Sequence, residues 1–112
     1  GVGSYLLGEA GDDRLISGTG IDYIVGGAGA DTIVFLPGGG TDYVYDFKTG
    51  GADKVDFTAL AGAGIHSLAN LVINTAYAAS GWFGYSYGTG TAWLNTAAIG
   101  NTQPVAGDFL FA

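Results

Sequence analysis

Residues 8–34 read GEAGDDRLI (8–16), SGTGIDYIV (17–25) and GGAGADTIV (26–34), three consecutive blocks that align without a gap. The period of nine puts Asp13, Asp22 and Asp31 at the sixth place of each block and Leu15, Ile24 and Ile33 at the eighth. The third block fits the pattern GGxGxDxUx, with U aliphatic, at every defined place. Counting backward, Ser4 takes the aspartate place and Leu6 the apolar one, so the chain is expected to open in mid-block, as a fragment of a longer array. Counting forward, Asp42 and Asp53 follow at wider steps, with residues 35–37 taking up a small insertion. GGGTDYVYDF (38–47) and GGADKVDF (50–57) keep the order of glycine, acid and β-branched residue in degraded form.

Glycine-rich starts permit positive φ and tight loops whose carbonyl oxygens can point inward. The residues after each aspartate then extend as a short strand, with the eighth-place aliphatic facing in and its neighbours out. Two blocks make one coil, and successive coils stack about 4.8 Å apart as parallel strands. The loop of one block therefore lies over the loop two blocks later. Asp13 is expected to face Asp31, and Asp22 to face Asp42 or Ser4.

Two carboxylates about 5 Å apart repel by roughly 3 kcal/mol at an effective dielectric of 20. Several such pairs rival a typical domain stability of about 5–15 kcal/mol. A divalent cation turns that repulsion into attraction, and hard carboxylate and carbonyl oxygens specify calcium; magnesium prefers water and strict octahedral geometry. The candidate metal ligands are Asp13, Asp22, Asp31, Asp42 and Asp53, with the loop glycines Gly8, Gly11, Gly18, Gly20, Gly26, Gly27 and Gly29. Several Ca2+ ions are expected, and folding is expected to be linked to them.

Composition points the same way. Ten acidic residues stand against three basic ones (Arg14, Lys48, Lys54), a net charge of -7 that argues against nucleic acid or an anionic membrane surface as partner. The absence of cysteine removes disulfides and thiolate metal sites. The 22 glycines burden folding with backbone entropy, for which bound calcium is an apt staple. No secretory leader is seen at the start, and the uncharged run after Phe57 is interrupted too often by Asn, Thr, Ser and Gly for a bilayer-spanning helix.

Beyond Phe57 the pattern changes. Gly62, Gly64, Ile65, Leu68, Leu71 and Val72 suggest a loop leading into one short helix, with Ser67 as N-cap. Residues 82–87 and 92–99, separated by Gly88-Thr89-Gly90, read as a hairpin. Residues 1–57 are thus expected to form the repeat array and residues 58–112 its β-rich cap, in one continuous domain, since an array end left unpaired invites edge association.

In residues 8–34, and more weakly to Phe57, the chain resembles the hemolysin-type, or RTX, calcium-binding repeat proteins. The resemblance implies an all-β fold: a right-handed parallel β-roll with calcium between turns, disordered inside the cell and folded outside. DFKTGGADKVDF, a helix, a glycine-broken hairpin and an Asp-hydrophobic tail look like the C-terminal region of RTX exoproteins, such as serralysin-like proteases and mannuronan C5-epimerases. It further implies a secreted, extracellular module of a longer bacterial protein, with residues 108–112 (DFLFA) contributing to a type I secretion signal read by the export machinery. Ser17 and Glu9 stand in glycine places and Ser4 in an acidic one, which departs from the family pattern.

Catalytic motifs are not found. His66 is the single histidine, there is no HExxH or GxSxG, and the aspartate spacing fits cation loops better than a glycosidase pair. A non-catalytic module is expected. Trp82, Phe83, Tyr85, Tyr87 and Trp93 are expected chiefly to pack the cap, with polysaccharide binding as the sharper alternative. A further alternative is calcium-dependent self-association in a surface-layer or adhesin protein, suited by the uncharged stretch.

Overall fold

The repeat spacing and the alternation of apolar residues translate directly into short strands. The structure, a computed structural model, describes residues 4–48 and 53–112; Gly50 and Gly51 of the weakest repeat lie outside the described residues. Strands β1 (Ser4–Leu7), β2 (Arg14–Ile16), β3 (Asp22–Val25), β4 (Thr32–Val34), β5 (Gly40–Val44) and β6 (Lys54–Asp56) come from the repeats. Strands β7 (Val72–Asn74), β8 (Trp82–Ser86), β9 (Gly90–Asn95) and β10 (Phe109–Leu110) follow.

Each glycine loop turns the chain back, so successive blocks fall on opposite sides of a coil and build two sheets. One has the order β1-β3-β5-β9-β8-β7, the other β10-β6-β4-β2. Asp22 lies beside Ser4 on one flank and Asp42 on the other, and Ile33 lies between Leu15 and Val55. The separation of stacked aspartates grows from 18 residues (Asp13 to Asp31) to 20 (Asp22 to Asp42) and 22 (Asp31 to Asp53), so the extra residues are absorbed in loops while strand register is kept.

The expected all-β fold, a right-handed parallel β-roll with a β-rich cap containing one short helix, is corrected by this topology. The fold is mixed: the four-stranded sheet is wholly parallel, but in the six-stranded sheet β8 runs antiparallel to both of its neighbours, β7 and β9. The physical reason is the short turn after β8, which forces the next strand back along it and so delivers β9 parallel to β5. The described residues hold five short 3₁₀ segments (Thr58–Ala63, Leu68–Asn70, Ala78–Ser80, Ala97–Ile99, Ala106–Asp108) where one short helix was expected. The helix expected after Ser67 is a single turn, because Val72 is already extended in β7.

One core serves both sheets. Ile24, Val44 and Leu94 from the larger sheet and Ile33 and Val55 from the smaller are at most 1 % exposed. Each contributes on the order of 1.5–3 kcal/mol by burial. Phe35, Phe47, Phe57, Phe83, Tyr85 and Phe109 are among the residues that join it. The core fixes coil register, and register fixes where the aspartates stand.

Candidate metal-binding loops

The aspartates form two columns, one at the head of each sheet. In the first, the Asp13 amide donates to Asp31 Oδ1 at 2.9 Å and the Asp31 amide to Asp53 Oδ1 at 2.9 Å. In the second, the Asp22 amide donates to Asp42 Oδ1 at 3.0 Å, and Asp22 Oδ2 takes the Gly18 amide at 2.9 Å. One oxygen of each stacked carboxylate thus ties its loop to the coil before it. This brings together the pairs that the spacing predicts.

The second oxygens are another matter. Asp13 Oδ2, Asp31 Oδ2 and Asp42 Oδ2 are buried without a hydrogen-bond partner. A buried unpaired charge is expensive, and such a group holds a proton or finds a cation. Burial raises the pKa of Asp31 and Asp53, opposed by the backbone amides they accept and by Lys48. Asp42 is pushed up to about 7, first by burial and then by sharing its site with the Asp22 carboxyl; the Ser17 hydroxyl acts the other way. Both columns are short of positive charge.

The glycines explain how the loops come close enough. A Cβ on Gly26 would stand 2.6 Å from Asp31 Oδ2, and one on Gly8 would stand 2.8 Å from Asp13 Oδ2 and 2.5 Å from the Gly26 carbonyl oxygen. A Cβ on Gly27 would collide with the Glu9 carbonyl, and one on Gly29 with the Gly11 carbonyl. Gly40 stacks on the Gly20 carbonyl in the same way. Gly18 is less crowded, since a Cβ there would stand 3.9 Å from Asp22 Oδ2, and Gly11 has open space on its own Cβ side.

Carbonyl oxygens and orphaned carboxylate oxygens therefore share these inter-loop spaces, a donor set that suits a hard cation. Among the described residues no three acidic or histidine side chains converge on one point. A cation would be held by a carboxylate pair completed with backbone oxygens, chiefly Asp13 and Asp31 with the Gly8 and Gly26 loops, and Asp22 and Asp42 with the Gly18 loop.

Several residues that matter here were not singled out by the repeat. Asp46 accepts the Gly26 and Gly27 amides on its two oxygens at 2.9 and 2.8 Å, and Asp12 accepts the Ala30 amide at 2.8 Å. Ser17 is buried beside Asp42, and Tyr87, whose buried hydroxyl has no partner, is raised by burial and by Asp42 and Asp22. The acid column of the larger sheet stops at β9, where Ala92 pairs with Asp42. One signal was readable: GTAWL (90–94) echoes GTDYV (40–44) with alanine in the aspartate place.

The aromatic group divides. Phe83, Tyr85 and Tyr87 are core residues, at most 2 % exposed, whereas Trp82 and Trp93 alternate onto the outer face. There they line an open cleft of about 310 Å³ with Tyr43 and Tyr77. Gly84 makes room for it: Trp93 ring atoms lie 2.8–3.0 Å from where its Cβ would be. Tyr43 meets Trp82 edge-on at 5.7 Å, and Tyr77 meets Trp93 likewise at 5.7 Å.

Compared with known proteins, the chain matches no family model and no curated protein sequence. No helix among the described residues is long and apolar enough to cross a membrane.

Proposed function

We propose that this chain is a non-catalytic calcium-binding module of the RTX type, which orders on calcium outside the cell and supports type I secretion of a larger exoprotein. The observation that carries the calcium reading is the pair of in-register carboxylate columns, in which the buried oxygens Asp13 Oδ2, Asp31 Oδ2 and Asp42 Oδ2 are left unpartnered. Calcium between the loops supplies the missing charge and accepts the carbonyl oxygens beside it. Without calcium the carboxylate columns repel and loosen the fold, which suits passage through an exporter. The export role rests on the resemblance of residues 8–57 and of the DFLFA tail.

The test is a calcium titration of chelator-treated protein followed by far-ultraviolet circular dichroism, with magnesium as control. A gain of β signal specific to calcium, at an affinity on the order of micromolar to millimolar, is expected. An ordered fold that takes up no calcium ends the reading.

A second reading, binding of a polysaccharide, is favoured by the cleft of Tyr43, Tyr77, Trp82 and Trp93. Partly exposed indole rings on the outer face of the sheet offer apolar area to a sugar ring. Trp82→Ala and Trp93→Ala are expected to lose retention on polysaccharide columns while keeping the calcium response. Unchanged retention assigns the rings to packing.

A further inference from the structure

Three basic side chains must serve ten acids. Two of them are engaged away from the aspartate columns: Arg14 reaches Asp56 at 3.6 Å, and Lys54 Nζ donates to the Gly107 carbonyl at 2.6 Å. Lys48 is different. Its ammonium donates to the Gly27 carbonyl at 2.8 Å and lies 3.9 Å from Asp53 Oδ2, between the loop of the third repeat and the loop that follows β5. Its own backbone amide holds that same Asp53 oxygen at 2.9 Å.

The carboxylates of this column then fall into two groups. Asp13 and Asp31, which face each other across the upper level, each keep a buried oxygen without a partner. Asp53, at the lower level, has both oxygens engaged: Oδ1 by the Asp31 amide, Oδ2 by Lys48. Neither orphaned oxygen forms an ion pair among the described residues, although the Lys48 charge is felt at Asp31. Gly27 belongs to the glycine pair whose carbonyls the spacing assigns to an ion, and here one of those carbonyls is bound to a side-chain cation.

We infer that the Lys48 ammonium is the resident cation of the lower level of the Asp13–Asp31–Asp53 column, so that this level closes without a metal ion while the level above it takes one. A monovalent, tethered charge is held at full effective concentration and cannot be chelated. The array therefore has one level whose closure is independent of calcium, next to levels that depend on it. Such a level gives folding a fixed place to start when calcium arrives.

This rests on the calcium reading, and the two are separable by experiment. Wild type, Lys48→Met and Lys48→Arg are folded in calcium, dialysed to equilibrium against buffer of known free calcium, and their bound calcium counted by mass spectrometry. Lys48→Met is expected to bind one calcium more per chain than wild type, and Lys48→Arg the same number as wild type. In chelator, Lys48→Met is expected to lose residual structure that wild type and Lys48→Arg retain. If wild type binds calcium and Lys48→Met binds the same number or fewer, the inference is overturned. If wild type binds none while Lys48→Met binds one, the calcium reading of the native chain fails and the role of Lys48 stands; if neither binds any, both fail. Lys48→Gln, which keeps a hydrogen-bond donor without charge, is expected to follow Met in the count, and a count equal to wild type also overturns the inference.

Discussion

Asp42 takes the amide of Asp22 on Oδ1 at 3.0 Å while its Oδ2, fully buried, is left without a hydrogen-bond partner beside a second carboxyl. The same side chain is thus a structural acceptor through one oxygen and an uncompensated charge through the other. Asp42→Asn separates the two roles, since the amide keeps an acceptor for Asp22 and loses the charge. In chelator at pH 8 the variant should be more stable than wild type by about 1–3 kcal/mol, the scale of a buried unpaired polar or charged group. Its calcium affinity should fall at least tenfold. Urea unfolding with and without calcium measures both; a loss of stability in chelator would mean that the charge itself is not the burden.

The pH dependence follows from the same group. Its pKa in the fold, about 7, stands above the ordinary 3.8, so the folded state binds a proton that the unfolded chain releases. The stabilisation from that proton is complete below about pH 4 and is lost as pH rises through about 7. Asp31 and Asp53 are raised too and act in the same direction. Stability in chelator should therefore decline between pH 4 and 8, with a slope approaching about 1.4 kcal/mol per pH unit for each such proton. Calcium reverses the trend, because it binds the deprotonated pair: uptake should release protons and weaken as pH falls below 7. Denaturation midpoints across this range, and proton release in weakly buffered titrations, check the two signs. A flat profile in chelator would show that the carboxylates keep ordinary pKa values.

Glu9 offers a gain. It stands in the glycine place of its block and adopts φ 67°, while Gly27, one coil on, has φ 81°. A left-handed conformation costs a residue with a Cβ roughly 1–2 kcal/mol, partly offset by the lower entropy of its unfolded chain. Glu9→Gly should raise stability by about 0.5–1 kcal/mol. Gly27→Ala should do the reverse and more, since its Cβ would run into the Glu9 carbonyl. Thermal midpoints of the two variants in calcium give the comparison; equal shifts would remove the strain argument.

How far the columns were legible depends on what the period encodes. A repeat of nine states which aspartates share a side, so Asp13 over Asp31 and Asp22 over Asp42 could be read from spacing, and with them the inward places of Ile24 and Ile33. It does not state which oxygen of each carboxylate the backbone will take. Nor does it show Asp46 clasping the Gly26 and Gly27 amides, or Lys48 reaching Gly27, because both lie in a loop where the period has lapsed. The mixed sheet was hidden for another reason. The hairpin of β8 and β9 was readable from Gly88-Thr89-Gly90, but its docking beside β5 depends on a contact fifty residues distant, between Gly40 and Gly90, for which the only local trace is GTAWL. The aromatic run was misleading as a unit, since alternation sends Phe83 and Tyr85 inward and Trp82 and Trp93 outward.

Phe57 joins the repeats to the C-terminal half. Its ring lies 5.6 Å from Phe35, 5.7 Å from Tyr87, 5.9 Å from Phe109 and 6.0 Å from Phe111, and it is fully buried. Phe57→Ala leaves a cavity where the two sheets and the tail meet, and should cost about 3–5 kcal/mol. That is comparable to the whole stability of many small domains, so the variant is expected to be unfolded in chelator. Calcium at a hundredfold excess over its dissociation constant returns about 2.7 kcal/mol per site, and two such sites suffice to restore the fold. The variant should thus show a two-state, strongly calcium-dependent transition by circular dichroism, in which the signals of the repeats and of Trp82 and Trp93 change together. If calcium orders the repeats while the tryptophan signals stay those of the unfolded chain, the halves fold separately, and the aromatic junction is a contact between them with no share in a common transition.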